Sequence, residues 1–237
     1  DLGRQGVALD QTGVFWDEDG IFDGVAMGYD NGKFGAEVGY GRFKDAYKDG
    51  SSPWTPYDRT EAWYGKLAGH LGGSSDISAF YLENVQKTNN IVNDASVKAW
   101  GAGATIGLGD SGLKVDGDFI QTRGKNNLGH EHANLWTAGL NYGEVDLNKP
   151  GSFTLGVHYV RADAGAYLLG NSALDMTDQL EYGWDNGAGV KFWTAKAGVA
   201  VQKNVELDAY YNFGAKTYDS QAENPANTWG VELNYAF

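Results

Sequence analysis

Alternation of apolar and polar residues is the dominant pattern of this chain. The last ten residues, TWGVELNYAF, place Trp229, Val231, Leu233, Tyr235 and Phe237 on one parity and polar or small residues on the other. A period of two residues is typical of a β-strand whose two faces meet different environments. Ten residues also match the length that a tilted strand needs to cross the hydrocarbon layer of a bilayer. The pattern therefore predicts a membrane-crossing strand here.

The same period recurs along the whole chain and predicts twelve strands. The predicted segments span residues 3–9, 21–29, 33–42, 60–71, 76–85, 95–108, 113–121, 133–142, 153–161, 191–201, 205–218 and 228–237. Asp30-Asn31-Gly32 and Lys203-Asn204 are typical of tight hairpin turns between neighbouring antiparallel strands. An all-β fold follows from these segments.

The connections between the predicted strands alternate in length. Short links lie at 30–32, 72–75, 109–112, 143–152 and 202–204, and long links at 10–20, 43–59, 86–94, 122–132, 162–190 and 219–227. One end of the sheet would then carry tight turns and the other end loops, as in a transmembrane up-and-down antiparallel β-barrel. A soluble sandwich fits less well, because Greek-key crossings demand irregular links. Residues 1–237 show no composition break, so we predict one transmembrane barrel domain.

Composition agrees with a barrel and excludes some partners. The net charge of −13 argues against a nucleic-acid partner, which would need a basic stripe. The mean hydropathy is −0.44, but a barrel keeps its lumen, loops and turns polar, so a low value does not exclude it. The chain has no Cys, which excludes disulfides and thiolate chemistry.

The polar parity of the predicted strands supplies the candidate pore lining. Mixed charges on a wide wall favour a water-filled channel, although a small barrel packed with salt bridges would give the same pattern. The candidate lining residues are Arg4, Glu37, Lys66, Lys114, Asp116, Asp118, Glu206, Asp208, Tyr210, Asn212, Glu232 and Asn234. Parity places Lys216 on the same face.

Three motifs resemble outer-membrane general diffusion porins. The closing segment with Tyr235 and the terminal Phe237 resembles the signal read by the outer-membrane assembly machinery. The LGRQ stretch at 2–5 resembles the strand that precedes the inward-folded loop in these porins. GVKFWT at 189–194, with the LDAYY strand that follows, is similar to the closing strands of porins tethered to the cell wall through an S-layer homology domain.

The resemblance implies strands five to sixteen of a sixteen-stranded barrel, with four strands and any N-terminal tethering domain absent from this chain. A twelve-stranded barrel would give the same count. A homotrimer, contact with outer-membrane lipid and a location in the outer membrane of a diderm bacterium are also implied. The stretch 10–20 takes the place of the family's constriction loop, where Asp17, Glu18 and Asp19 would face Arg4 and Lys66. An exposed acidic loop is the alternative interpretation.

Catalytic and metal-binding patterns are weak. The glycine-rich stretch 101–107 lacks the strand and helix of a nucleotide loop. His130 and His132 in a predicted loop are more typical of solvated surface than of a metal site. Neither His70 nor His158 has an obvious serine partner for hydrolysis. We therefore expect no enzyme activity, no cofactor and no metal.

Two functional hypotheses remain. The first is a porin for passive diffusion of small hydrophilic solutes and ions, with modest cation preference from the acidic balance. The second is a structural barrel, an outer-membrane anchor or adhesin, whose lumen is plugged by the long segment 162–190. That segment could equally be an external loop.

Overall fold

A computed structural model describes residues 1–17, 21–44, 60–84, 98–123, 132–167, 172–218 and 221–236. It contains twelve β-strands, one α-helix and one turn of 3-10 helix, Gly109–Ser111. The strands are β1 Leu2–Gln5, β2 Ile21–Asp30, β3 Phe34–Lys44, β4 Thr60–Gly72, β5 Ser75–Asn84, β6 Lys98–Gly107, β7 Leu113–Arg123, β8 His132–Gly143, β9 Phe153–Ala162, β10 Gly189–Gln202, β11 Val205–Tyr218 and β12 Thr228–Tyr235. The helix, α1, spans Leu174–Asp185 between β9 and β10.

All twelve strands form one up-and-down sheet. Each strand pairs with the next, in the order β1 to β12, and each of these pairs is antiparallel. Within the described ranges no ladder joins β1 to β12, so the sheet is open there. None of the described helices is long and apolar enough to cross a membrane. The predicted all-β, up-and-down architecture is confirmed.

Tight turns gather at one end of the sheet. Gly73 and Ser74, between β4 and β5, have φ values of 60° and 63°, as a two-residue hairpin turn of type I′ requires. Asn204, between β10 and β11, has a φ of 62°. We call this end the turn end, and the opposite end, where the longer connections lie, the loop end.

One face of the sheet, here called the outer face, is apolar and exposed. Its side chains include Met27, Val38 and Leu67, each more than half exposed. Ring contacts run along it, such as Trp136 to Tyr159 at 5.2 Å and Tyr159 to Trp193 at 5.1 Å between ring centroids. Cross-strand neighbours place these rings in a band towards the loop end, which we call the aromatic belt: Tyr40, Trp63, Tyr81, Trp100, Phe119, Trp136, Tyr159, Trp193, Tyr211 and Trp229. An apolar band edged by aromatic rings suits contact with lipid.

The opposite, inner face carries the buried core at the loop end. Residues 6–17, which we call the inner segment, fold back onto this face from β1, and α1 covers it on the side of β9 to β12. The core is formed by Val7, Leu9, Val14, Phe15 and Trp16 of the inner segment, Met176 and Leu180 of α1, and Phe22, Phe43, Tyr64, Phe80, Leu82, Ile120, Leu135, Val160 and Phe192 of the strands. The inner segment and α1 also meet, because the backbone N–H of Ala173 donates to the carbonyl of Gly13 at 2.8 Å.

The structure differs from the predicted local structure in one segment and adds an unpredicted element in another. The first strand ends at Gln5, not at residue 9, because Val7 and Leu9 are buried in the core instead of alternating in a ladder. The long segment 162–190 contains α1, which was not predicted. The helix presents Met176, Leu180 and Trp184 at intervals of four residues to the core, as an amphipathic helix does.

The predicted inner position of Arg4 was also wrong. Register pairs Leu2 with Val25 and Arg4 with Asp23, and Val25 belongs to the exposed outer face. Arg4 therefore lies on the outer face, where its Nε donates to Asp23 at 3.0 Å.

A β-bulge near the loop end of β11 changes the facing of the residues beyond it. Trp193 pairs with Phe213, whereas Lys191 pairs with Lys216, so β11 has one extra residue here. Gly214 has a φ of 64°, the left-handed conformation that glycine adopts in such bulges. Ala215 consequently joins the inner core, and Lys216 points outward with Lys191. The predicted inner position of Lys216 was therefore wrong.

Candidate functional site

The inner segment is anchored to the wall by hydrogen bonds to charged side chains. Asp118 on β7 accepts the backbone N–H of Gln11 at 3.0 Å and that of Thr12 at 2.7 Å. Lys66 on β4 donates from Nζ to the carbonyl of Ala8 at 2.7 Å. An ionised partner roughly doubles the strength of a hydrogen bond. These contacts fix the middle of the segment against β4 and β7.

Asp10 organises the interior of the inner segment. Its carboxylate accepts the backbone N–H groups of Phe15 at 3.1 Å and Trp16 at 2.9 Å, and the residue is 4% exposed. Burial, and then repulsion from the nearby Asp118, raise the pKa of Asp10 to about 7. Removal of a carboxylate from water disfavours its charged form, and the two N–H donors offset this only in part. The segment thus holds a titrating group within its core.

Helix α1 is held to the inner face of the last strands by polar contacts. Thr194 on β10 donates from Oγ1 to Asp175 at 3.3 Å. Gln179 donates from Nε2 to the carbonyl of Ala226 at 2.9 Å. Gln179 Nε2 also lies 3.3 Å from Oγ1 of Thr228 on β12, and the fully buried Asn212 of β11 donates to the same oxygen at 2.9 Å. Together with the apolar stripe of α1, these bonds cover the loop end of β9 to β12.

The turn end of the same inner face is polar. We call this region the polar half, and the loop end of the inner face the apolar half. Among the described residues, the carboxylates of the polar half outnumber its lysines. The carboxylates are Asp30, Glu37, Asp76, Asp116, Glu206, Asp208 and Glu232, and the lysines are Lys66, Lys114 and Lys196. A wall of this composition offers water a favourable surface, and its excess of carboxylates creates a negative potential along that surface.

Neighbouring polar residues are fixed across the strands of the polar half. Asp116 accepts a bond from Asn141 Nδ2 at 2.7 Å and lies 2.9 Å from Nε2 of His158. The His158 ring lies across Gly139, where an added Cβ would come within 2.0 Å of the ring. A glycine is therefore required there for the ring to lie flat on the wall.

Three carboxylates, Glu206, Asp208 and Glu232, lie together on β11 and β12, near the turn end. Register pairs Glu206 with Asn234 and Asp208 with Glu232. Asn234 donates from Nδ2 to Asp208 at 3.0 Å. Like charges on directly opposed strand positions repel each other, so this group, which we call the acidic patch, concentrates negative charge near the turn end.

The structure places most predicted lining residues on the inner face. Glu37, Lys66, Lys114, Asp116, Glu206, Asp208, Glu232 and Asn234 lie in its polar half. Tyr210 contacts Asp178 of α1, with its hydroxyl 3.4 Å from Oδ2. Asp118 and Asn212 lie on the inner face but are 5% and 0% exposed, because the inner segment and α1 cover them. These two therefore do not line a wet surface.

The predicted constriction and assembly residues lie only partly within the described ranges. Asp17 is half-buried at the end of the inner segment, and its side chain lies against Gly13. Glu18, Asp19 and Phe237 lie outside the described residues. Tyr235 is exposed at the turn end of β12, opposite Val205.

The apolar half of the inner face was missed by sequence reasoning. Phe22, Phe43 and Phe192 point inward where simple alternation would place polar residues. One signal was present in the sequence: the run Phe80-Tyr81-Leu82 is apolar on both parities, as a strand covered on both faces requires. Among the described residues no group of three or more His, Asp or Glu is arranged to hold a metal ion.

Comparison with solved structures identifies the fold. The chain is similar to the outer membrane channel DcaP of Acinetobacter baumannii, with a TM-score of 0.60 and 16% identity over 100% of this chain and 71% of that one. A porin matches with a TM-score of 0.51 and 11% identity, over 100% and 73%. OccK9 (OpdG) of Pseudomonas aeruginosa matches with a TM-score of 0.54 and 14% identity, over 95% and 60%. No protein-family model and no curated protein matches the sequence. The chain thus has the fold of outer-membrane porins and channels.

Proposed function

We propose that this chain forms most of the wall of an outer-membrane porin, through which small hydrophilic solutes and ions diffuse passively. One observation carries the proposal: on the same strands, the outer face is apolar and exposed, while the turn end of the inner face is charged. The shared fold with channels of known structure supports it. No covalent chemistry is required.

Single-channel recording tests this function directly. The native full-length protein, reconstituted in a planar bilayer, should give discrete, open conductance steps in KCl. A correctly folded protein that stays electrically silent would contradict the porin and favour the structural anchor or adhesin, because the inner segment and α1 would then close the lumen.

We propose a modest preference for cations, which arises from the acidic patch. The triple variant Glu206→Gln, Asp208→Asn and Glu232→Gln removes charge from the polar half with little change of size. Its reversal potential in a KCl gradient should shift towards zero. The control variant Asp110→Asn with Glu223→Gln removes two exposed carboxylates in connections between strands and should leave the reversal potential unchanged. Equal effects of the two variants would contradict a role of the patch.

We also propose that further strands close the barrel between β12 and β1, to give sixteen in total. Open strand edges are unfavourable in lipid, because their backbone groups lack partners. The coverage of 71% and 73% of the two channels that match over the whole chain agrees with twelve strands of a larger wall. The intact mass of the native polypeptide tests this, since a mass near 25.6 kDa would contradict it.

A homotrimer, recognition of Tyr235 and Phe237 by the outer-membrane assembly machinery, and attachment to the cell wall through an N-terminal domain are proposed from the sequence resemblance. Native electrophoresis of the detergent-extracted protein tests the trimer. Co-sedimentation of the full-length protein with purified cell wall tests the attachment, and a protein that stays in the supernatant would contradict it.

A further inference from the structure

Charged side chains form a rim on the outer face, just beyond the aromatic belt towards the loop end. On the first strands these charges alternate in sign. Arg4 bonds to Asp23 at 3.0 Å, and Arg42 lies between Asp23 and Glu61 in the register. Opposite charges on adjacent strands stabilise each other, so this part of the rim is neutralised by the protein itself.

The middle of the rim is neutralised in part. Lys98 on β6 forms an ion pair with Glu83 on β5, with Nζ 2.9 Å from Oε1. On its other side, Lys98 is paired in the register with Arg123 on β7. Arg123 donates from Nε to the amide oxygen of Gln121 at 2.9 Å, a neutral partner that leaves the charge of Arg123 in place.

The rim has a different composition on β9, β10 and β11. Register places Arg161 opposite Lys191, and Lys191 opposite Lys216. Three cations thus occupy three adjacent strands at one level, a group that we call the cation row. Neighbouring strands lie about 4.8 Å apart, so the row is about 10 Å long. Like charges directly opposed across strands repel each other.

Only one member of the cation row has an acidic partner in the described part of the chain. Arg161 Nη2 lies 3.9 Å from Asp163 Oδ1, and its guanidinium lies 4.8 Å from the centre of the Tyr218 ring. Neither Lys191 nor Lys216 forms an ion pair with any described carboxylate. Among the described residues, the row therefore carries a net positive charge that its neighbours do not neutralise.

The bulge at Gly214 is what completes the cation row. Without the extra residue, Lys216 would keep the inner facing that strict alternation gives it; with the bulge it lies beside Lys191 on the outer face. Bulges commonly redirect a side chain at a functional position. The chain thus adds a third cation next to two others, although this arrangement is unfavourable in the absence of an anion.

The position of the cation row relative to the aromatic belt indicates which anion is available to it. Lys191 and Arg161 each lie two residues beyond a ring of the aromatic belt, Trp193 and Tyr159 respectively. Aromatic rings of a belt lie at the interface between hydrocarbon and headgroups. Long basic side chains at this level reach the headgroup region, where lipid phosphates are the available anions.

We propose that Arg161, Lys191 and Lys216 form a binding site for the phosphate of an anionic lipid headgroup, in the leaflet at the loop end of the sheet. The phosphate neutralises the two lysines, and Asp163 and Tyr218 hold the Arg161 side chain in place. This inference rests on the membrane location proposed above but not on conduction, so a silent channel would leave it standing.

The test is lipid binding by the detergent-purified, full-length protein. Dioleoyl phosphatidic acid is titrated, and the bound lipid is counted by native mass spectrometry. We expect one tightly held lipid, and affinity about fivefold weaker for each lysine removed, so about 25-fold weaker for Lys191→Gln with Lys216→Gln. A Lys191→Arg with Lys216→Arg variant should retain tight binding. The control variant Lys149→Gln with Lys203→Gln removes two exposed cations at the turn end and should bind like the native protein.

Several outcomes would overturn the proposal. One is unchanged affinity in the glutamine variant, and another is an equal loss in the turn-end control. If inorganic phosphate competes for the site as well as the lipid does at equal concentration, the row is a soluble-anion site and not a lipid site. If the glutamine variant dissociates an oligomer while its lipid affinity stays the same, the row is a subunit contact.

Discussion

The two halves of the inner face are built on the same strands and with the same parity, yet they differ in what covers them. In the apolar half, Phe192 and Ile120 are fully buried under the inner segment and α1. In the polar half, Lys196 and Asp116 lie on the same two strands, closer to the turn end, and neither the inner segment nor α1 covers them. The comparison shows that alternation decides which face a side chain joins, whereas the cover decides whether that face is dry or wet.

The largest expected effect is a difference in stability between these halves. Phe192→Ala removes a fully buried ring and should lower the free energy of unfolding by about 3–5 kcal/mol. Lys196→Ala, four residues along the same strand and face, should change it by about 0.5 kcal/mol. Urea unfolding of the protein in lipid vesicles, followed by loss of β-sheet circular dichroism, measures both. Similar losses of unfolding free energy in the two variants would show that the apolar half is not packed more tightly than the polar half.

The second prediction concerns the contact that joins the inner segment to the wall. Asp118→Ala leaves the N–H groups of Gln11 and Thr12 without their acceptor, which should destabilise the docked segment by about 1–3 kcal/mol. Hydrogen exchange at these two amides should become faster. Asp116→Ala, which alters the next inward carboxylate on β7 but no bond to the segment, is the matched control. Unchanged protection in the Asp118 variant would mean that apolar packing alone holds the segment.

How much of the fold could be predicted from the sequence depends on whether a feature arises from neighbouring residues or from residues far apart in the chain. Strand number, turn positions and the outer face follow from local alternation, and residues such as Leu207 and Asp208 report their facing directly. Departures arise where contacts between distant residues override the pattern. Val7 and Leu9 alternate like strand residues but are buried against distant strands. In α1, apolar residues recur every four positions, but Met176 and Leu180 are buried against distant strands, so the local pattern does not show where the helix packs.

The candidate site shows the same limit. Parity correctly placed Glu37, Lys66 and Glu232 on the inner face. It could not show that Asp118 lies beneath the inner segment, since that depends on a loop 106 residues away in the chain. The outward position of Lys216 depends on one glycine in a left-handed conformation, and a single extra residue reverses all the facings beyond it.

The third prediction is a pH dependence of the inner segment. The pKa of Asp10 is raised to about 7, above its value of about 3.9 in an unfolded chain. Between these two pKa values the folded state therefore binds more protons than the unfolded state. The contribution of protonated Asp10 to the stability of the docked inner segment is complete below about pH 4 and is lost as the pH rises through 7. The other charged groups near Asp10 are Asp118 and Asp17, and both add repulsion once Asp10 is ionised.

A spin label measures this pH dependence, because the chain has no native Cys. A nitroxide on Gly6→Cys, at an exposed position of the inner segment, should become more mobile between pH 5 and 8 (roughly the range that brackets the raised pKa). Adding Asp10→Asn should flatten the response, since the amide cannot ionise. A response that persists in that double variant would assign the effect to another group.

The smallest expected effect is on ion selectivity at the end of the inner segment. Asp17 is half-buried there, and the neighbouring Glu18 and Asp19 complete the acidic stretch that the resemblance to porins assigns to a constriction. Neutralising all three, as Asp17→Asn, Glu18→Gln and Asp19→Asn, should shift the reversal potential towards zero by less than the acidic-patch variant does. The patch has three carboxylates fixed on the wall of the polar half, whereas the inner segment turns its apolar side chains into the core. If the loop variant has the larger effect, the narrowest part of the passage lies beside the inner segment, and the apolar half then controls ion passage more than the polar half does.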